Sequence, residues 1–196
     1  NGLAKDILHR DYTDYVVSDE VAKMAVKQTG VDYKYLIDLM PSQKIPNYAY
    51  AGGSDLSFVN KTKEWGLAQP SHSNGAAYGD LDNDGDLDLV VSNVNMPVFI
   101  YRNMAVEQNE GLNYLKITLQ GSAKNKSAIG AKITLKAGVH LRQGSGGQSR
   151  LFYKEQSLSR GFQSSVDYPM TIGLGTTETI DSVRIIWPND TTIKLE

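Results

Sequence analysis

The stretch GDLDNDGDLDLVV, residues 79–91, places an aspartate at every second position from Asp80 to Asp88. Gly85 lies in the middle of this run, and a short apolar segment follows it. Unit charges a few ångströms apart repel each other by roughly 1 kcal/mol per pair even in water, and by more where solvent is thinned. Something in the folded protein must therefore offset the repulsion.

The spacing of these aspartates matches a loop that binds a divalent cation. Asp80, Asp82, Asp84 and Asp88 supply carboxylate oxygens at loop positions one, three, five and nine, and the backbone carbonyl of Asp86 stands at position seven. Flexible coordination by many oxygens suits Ca²⁺, at about 2.3 to 2.6 Å, better than the octahedral Mg²⁺ that keeps its waters. The sequence predicts a calcium site.

Two other interpretations of the same stretch are an EF-hand loop and an acidic hairpin turn. An EF-hand needs a glutamate at position twelve and helices on both sides, but Val91 stands there and the flanking sequence is typical of a strand. An acidic hairpin turn remains the alternative, because Asn, Asp and Gly favour turns. A turn accounts for residues 83–85 but not for Asp80, Asp82 and Asp88.

Composition excludes several functional classes. The chain has 196 residues, a formal net charge of −2 and no cysteine, so it has neither the basic field of a nucleic-acid-binding protein nor a thiolate metal site. No apolar run approaches the roughly 20 residues of a membrane span. The chain opens with NGLAKDILHR, without an initiator methionine or a signal sequence. We expect a mature or excised fragment.

Hydrophobic periodicity predicts a mainly β protein with a small helical insert. The insert covers about residues 18–42, with Ser18 and Asp32 as N-caps of two helices and Gly30 ending the first of them. Short apolar alternations separated by Gly, Asn and Asp then run over residues 46–103 and again from residue 112 to the end, which is typical of antiparallel strands.

A weak internal repeat suggests propeller architecture in the first half. PNYAYAGGSDLSF from Pro46 resembles PVFIYRNMAVEQN from Pro97, at an offset of about 51 residues, and β-rich repeats of similar length are typical of propeller blades. We therefore predict one or more partial blades with the helical insert over residues 1–107, and a β-sandwich-like domain over residues 108–196.

Several motifs resemble known families. NGAAYGDLDNDGDLDLVVSN, residues 74–93, resembles an FG-GAP or VCBS repeat, the calcium-loop blade of integrin-type propellers, with Asn74 where an aromatic is usual. The downstream motifs are similar to the ASPIC/UnbV domain, with Asp190 in place of the usual glycine after the Trp-Pro pair. They are SAIGAKITL (127–135), SRGFQSS (159–165), MTIGLG (170–175) and VRIIWPND (183–190).

The resemblance implies an extracellular or cell-surface binding or adhesion protein that calcium stabilises, with a glycan or another extracellular protein as its partner. An unpaired blade edge would also allow a homodimer. The alternative is a portion of a carbohydrate-active enzyme, whose carboxylate pair would lie outside the aspartate loop. No catalytic residue is predicted.

Other chemically interesting residues receive plainer interpretations. His9, His72 and His140 follow no metal-binding spacing, and we expect them at the surface. Trp65 and Trp187 could stack on sugar rings, but a tryptophan in an alternating strand is more often part of the core. We predict that both are core residues.

Overall fold

The chain folds into two compact units that interleave along the sequence. The first unit comprises Asn1–Asn74 and Ser92–Val98, and the second comprises Gly75–Val91 and Phe99–Glu196. The mainly β prediction is confirmed. The structure, a computed structural model, describes residues 4–26, 32–122, 124–138 and 149–195.

Short helices contribute to both units. Asp32 caps its helix as predicted, since its carboxylate accepts a hydrogen bond from the Tyr35 backbone N–H at 3.0 Å. Ser18 precedes its helix, but its hydroxyl is buried without a hydrogen-bond partner among the described residues. No helix in the described part of the chain is long and apolar enough to cross a membrane. The helices are α1 (Arg10–Val16), α2 (Asp19–Val26), α3 (Tyr33–Leu39) and α4 (Ala105–Gln108).

The first unit has little buried apolar material. Its hairpin pairs β1 (Tyr50–Gly52) with β2 (Phe58–Asn60) in an antiparallel register. The prediction that Trp65 is a core residue is wrong, because its side chain is 51% exposed. Its backbone N–H bonds to the Lys61 carbonyl in a tight turn, and turns lie at the surface. Gly30, expected to end the helix before α3, falls outside the described residues.

One four-stranded sheet carries the aspartate loop. The strand order is β5-β4-β3-β9, where β9 runs parallel to β3 and places Ser165 opposite Ala77. β4 pairs with β5 in an antiparallel register. The parallel contact joins segments almost ninety residues apart in sequence, and no sequence signal predicts it. The strands are β3 (Ser73–Gly79), β4 (Asp88–Asn93), β5 (Phe99–Tyr101) and β9 (Ser165–Val166).

Two further sheets of the second unit enclose its core. One pairs β6 with β10, and the other has the order β12-β11-β7-β8. Leu135 and Ala137 from one sheet cluster with Ile172 and Leu174 from the other, so the two sheets pack face to face. Leu135, Ile172 and Leu174 each contribute about 1.5–3 kcal/mol by leaving water. The strands are β6 (Asn113–Ile117), β7 (Lys132–Gly138), β8 (Arg150–Glu155), β10 (Met170–Gly175), β11 (Thr179–Ile186) and β12 (Thr192–Leu195).

Trp187 follows β11 and lies at the margin of this core. It is partly buried and packs against a second cluster, formed by Ile133, Met170 and Ile185. The predicted core position therefore holds in part, since one portion of the indole remains accessible.

Candidate metal site

The aspartate loop connects the end of β3 to the start of β4. Asn83 and Gly85 have backbone φ angles of 62° and 97°, which reverse the chain direction within a few residues. The Asp84 carboxylate accepts a hydrogen bond from the Asp86 N–H at 3.0 Å and braces the turn. The local preference of Asn, Asp and Gly for left-handed backbone and for side-chain turns accounts for this shape.

Gly85 is required by a close packing contact as well as by its backbone angle. A Cβ atom at this position would lie 2.0 Å from the Tyr114 ring carbon Cδ1. Tyr114 belongs to β6, and its ring lies directly on the loop backbone. The tip of the loop is therefore fixed against β6.

The loop brings three predicted ligands together. The carboxylates of Asp80, Asp82 and Asp84 each offer an oxygen, and these oxygens lie within 4.8 Å of one another. Asp80 is the most enclosed of the three, with 6% of the residue exposed. Three hard oxygens at this separation can bind a single divalent cation.

A second group of carboxylates shares one member with the first. Asp84, Asp86 and Glu107 also offer oxygens within 4.8 Å of one another. Glu107 comes from α4 and was not predicted, because no spacing rule connects a residue of a separate helix to the loop. Asp86 was expected to bind the ion only through its backbone carbonyl. Its side-chain carboxylate, however, also lies in the cluster.

Asp88 and Asp86 also hold neighbouring backbone in place. The two carboxylate oxygens of Asp88 accept hydrogen bonds from the N–H groups of Leu81, at 3.1 Å, and Asn103, at 2.8 Å. One oxygen of Asp86 accepts from Val106 N–H at 3.2 Å. These bonds tie the loop to the segment that leads into α4.

Two basic side chains partly neutralise the loop. Lys116 Nζ lies 2.6 Å from the Asp80 carboxylate and donates to the Asn83 side-chain oxygen at 3.2 Å. Arg102 contacts Asp82 at 2.7 Å, and it also pairs with Asp84 and Glu107. Six carboxylates thus face two cations, and the cluster keeps a net negative charge.

Two of the buried carboxylates, Asp80 and Asp86, have pKa values displaced in opposite directions. Burial alone would raise the pKa of Asp80, but the Lys116 ammonium and nearby backbone N–H groups outweigh it, and the pKa lies below its ordinary value. Burial raises the pKa of Asp86, and the negative charges of Asp84 and Asp88 add to the effect. Asp80 is therefore held ionised, while Asp86 carries a charge that its surroundings disfavour.

Three loop oxygens remain available to a cation. Asp80 Oδ1, Asp84 Oδ2 and Asp86 Oδ1 are buried and accept no hydrogen bond from the described residues, although Asp84 Oδ2 lies 3.6 Å from the Arg102 guanidinium. Buried acceptors normally have partners, so orphaned carboxylate oxygens call for an explanation such as an ion. The residues present fit a hard divalent cation.

The histidines give no comparable site. The prediction of surface positions is wrong for His72, which is 5% exposed and lies 3.1 Å through Nε2 from the Ser42 hydroxyl. Its Nδ1 has no hydrogen-bond partner among the described residues, so this pair lacks the orienting acid of a catalytic triad. His9 is exposed, and His140 lies outside the described residues.

One family model matches the C-terminal part of the chain. Residues 121–196 match the family model described as ASPIC and UnbV. The match begins just after β6 and covers β7 to β12. It does not include the aspartate loop. No curated protein matches the chain.

Proposed function

We propose that this chain is a calcium-stabilised binding module of the cell surface or extracellular space that recognises a glycan or another protein. The observation that carries the proposal is the set of buried carboxylate oxygens, in the loop from Asp80 to Asp88, that accept no hydrogen bond from the described residues. An FG-GAP or VCBS identity for residues 74–93 is part of the same proposal.

Calcium is the cation that best suits these donors. Asp80, Asp82, Asp84 and Asp88, with the Asp86 carbonyl, are the predicted ligand set. The two carboxylate groups contain Asp80, Asp82, Asp84 and Asp86 together with Glu107, whereas Asp88 lies outside both groups and accepts hydrogen bonds from backbone N–H groups. All are hard oxygen donors, and a set of many oxygens without strict octahedral geometry favours Ca²⁺ over Mg²⁺. The net negative charge left after pairing with Lys116 and Arg102 attracts a divalent ion.

A structural role for the ion follows from where the loop is anchored. Tyr114 and Lys116, two residues of β6, contact the loop through Gly85 and Asp80. Five clustered aspartates destabilise the loop without a cation, so metal binding and folding are linked. We infer that calcium stabilises the second unit rather than taking part in a reaction.

The test is thermal unfolding of the full chain in excess calcium, excess magnesium and excess chelator. Calcium should stabilise the protein by about 2.7 kcal/mol at a hundredfold excess over the dissociation constant. Asp84→Asn should abolish this shift, since Asp84 belongs to both carboxylate groups. Glu178→Gln, an exposed acidic position of the second unit, is the matched control and should keep the shift.

A melting temperature that calcium leaves unchanged, together with no calcium found by elemental analysis, would contradict the proposal. The stretch would then be an acidic hairpin turn. A shift produced equally by magnesium would retain a metal site but remove the assignment to calcium.

A homodimer through an exposed strand edge belongs to the same proposal. The β1–β2 hairpin forms a sheet of only two strands, and Phe58 on β2 is 73% exposed. Unpaired edges with apolar side chains favour pairing with another chain. Light scattering over a concentration series should show a dimer that Phe58→Lys disrupts; a monomer at all concentrations would rule this out.

A further inference from the structure

A cavity of about 420 Å³ lies in the second unit, away from the aspartate loop. Its walls come from the segment after β6, around Gln120 and Asn125, and from the turn between β11 and β12. The volume falls within the range of about 300–1,000 Å³ that is typical of small-molecule sites.

The wall after β6 is rigid. Both ends of the Asn125 carboxamide are bonded to the Ile129 backbone, at 2.9 Å each. A Cβ atom at Gly121 would lie 2.1 Å from the backbone carbonyl oxygen of Asn125, so the backbone makes a tight turn here with no room for a side chain. Ala128, which lines the cavity, is 1% exposed and has a φ angle of 52°. Left-handed backbone at a buried alanine is costly and is found preferentially at binding sites.

The opposite wall is a tight turn that carries the indole. The backbone N–H of Trp187 donates to the Thr191 carbonyl at 2.8 Å, and the Asn189 side-chain oxygen accepts from the Thr191 backbone N–H at 3.2 Å. Asp190, within this turn, has a φ angle of 64°. Because Trp187 packs against the core cluster on one side and lines the cavity on another, its ring is held in place.

The chemistry of the lining selects a neutral polar ligand. Among the described residues that line the cavity, none is ionisable. The lining instead offers an indole and the carboxamides of Gln120, Asn125 and Asn189. Each carboxamide has two donors and two acceptor positions, more than the bonds within the walls use. An aromatic face beside uncharged donors and acceptors suits a ring that has apolar C–H faces and hydroxyl edges.

We propose that this cavity binds a neutral pyranose unit of a glycan, with Trp187 as the stacking surface and Gln120 as a hydroxyl ligand. The inference rests on the proposed binding function, and it assigns glycan binding to this cavity. Phosphates, uronates and amino sugars with free ammonium groups find no counter-charge in the lining, so the expected ligands are neutral hexoses or N-acetylated hexosamines.

The test uses Trp187 as its own reporter. The chain has two tryptophans, so a Trp65→Phe protein leaves the Trp187 fluorescence alone. Titration with methyl glycosides of glucose, galactose, mannose and N-acetylglucosamine should produce a saturable change for at least one of them. Methyl glucuronide should bind at least about fivefold more weakly, as expected for a charge buried without a partner.

Variants separate the cavity from the rest of the surface. Gln120→Ala should weaken binding at least about fivefold, the effect of one lost hydrogen bond, at an unchanged melting temperature. Gln108→Ala, at the exposed end of α4, is the matched control and should bind as the parent does. Trp187→Ala also removes core contacts, so Gln120→Ala carries the test if that variant fails to fold.

Three outcomes would overturn the inference: no saturable response to any neutral glycoside, unchanged binding in Gln120→Ala, or equal binding of the glucuronide. The titrations are run in calcium and in chelator. Glycoside binding without a calcium-dependent melting shift would remove the calcium proposal and keep the cavity. A calcium shift without glycoside binding would do the reverse.

Discussion

Both units contain strands with alternating apolar residues, but the apolar side chains are exposed in one unit and buried in the other. In the first unit, Tyr50 and Phe58 of the β1–β2 hairpin are exposed. In the second unit, Ile133, Leu135 and Ala137 occupy alternate positions of β7 and have no exposed surface. The difference lies in the partners: β7 has strands on both sides and a facing sheet, whereas each hairpin strand has one neighbour.

Alternation therefore predicts a strand, but burial depends on what covers the strand. The second unit supplies its own cover, because β6 and β10 face the larger sheet across the core. The exposed apolar side chains of the first unit are typical of a surface that another element covers. Partial propeller blades over residues 1–107, which stay a prediction, would leave such apolar surface for neighbouring blades to cover.

The largest expected effect comes from comparing a leucine in each unit. Leu135→Ala should destabilise the chain by about 2–5 kcal/mol, since it leaves a cavity in a fully packed core. Leu8→Ala, at an exposed position of the first unit, should change the free energy of unfolding by no more than about 0.5 kcal/mol. Urea unfolding measures both. Equal effects would show that the first unit has a core that exposure alone does not reveal.

The next largest effect is the difference in stability cost between Gly→Ala substitutions at two glycines with left-handed backbone. Gly85 and Gly66 have φ angles of 97° and 73°, but only at Gly85 would an added Cβ meet another residue, Tyr114. Gly85→Ala should cost about 2–4 kcal/mol from strain and overpacking. Gly66→Ala should cost roughly 1 kcal/mol from strain alone.

Thermal unfolding of both variants in chelator gives the cost of the contact with Tyr114, because only the Gly85 variant makes that contact. Gly85→Ala combined with Tyr114→Ala should recover much of the loss, because the smaller side chain makes room for the methyl group. No recovery would mean that the loop is not fixed against β6.

Local signals in the sequence predicted more than distant ones did. Asp32 caps its helix as expected, and the glycine within the aspartate run marks a turn that needs positive φ. Asp190 stands where the resembled family has glycine, and its φ of 64° shows why glycine suits the position. These features depend on a few neighbouring residues.

Contacts between distant segments had no comparable signal. Glu107 and Lys116 reach the aspartate loop from separate elements, and β9 joins the sheet in parallel from far along the chain. The exposure of Trp65 likewise depends on the lack of a covering element rather than on its neighbours. The boundary near residue 107 stays a prediction, as do the ligand set and the choice of calcium.

A moderate effect is expected from removing the lysine that pairs with Asp80. Lys116→Met should lower the melting temperature in chelator by a few degrees, because the buried Asp80 charge loses its cation. The folded-state pKa of Asp80 is lowered, so in the parent protein its contribution to stability is present above about pH 3.9 and is lost as pH falls through the folded pKa.

The deficit of Lys116→Met should consequently shrink as the pH falls through the folded-state pKa of Asp80, because the protonated carboxyl no longer needs a cation. Calcium should also reduce the deficit at pH 7, since the ion replaces the missing positive charge. Lys136→Met, on β7 and outside the aspartate cluster, is the control. A deficit that neither acid nor calcium changes would assign the effect to lost packing of the lysine stem.

The smallest effect has the opposite sign and concerns Asp86. Burial and the charges of Asp84 and Asp88 raise its folded-state pKa, so the folded protein binds this proton more tightly than the unfolded chain does. The free energy of unfolding then falls as pH rises through that pKa. In excess chelator at pH 7, Asp86→Asn should gain up to about 1 kcal/mol, the repulsion of one nearby charge pair, and the gain should vanish toward pH 4.

The same variant sharpens the ligand assignment. Asp86→Asn keeps the backbone carbonyl, and its side-chain oxygen can still accept from Val106 N–H, so the calcium-dependent melting shift should persist if Asp86 binds through its carbonyl. Loss of the shift would instead place the ion among the carboxylates of Asp84, Asp86 and Glu107. Lower stability of the variant in chelator would show that the Asp86 charge supports the fold, contrary to the direction of its pKa.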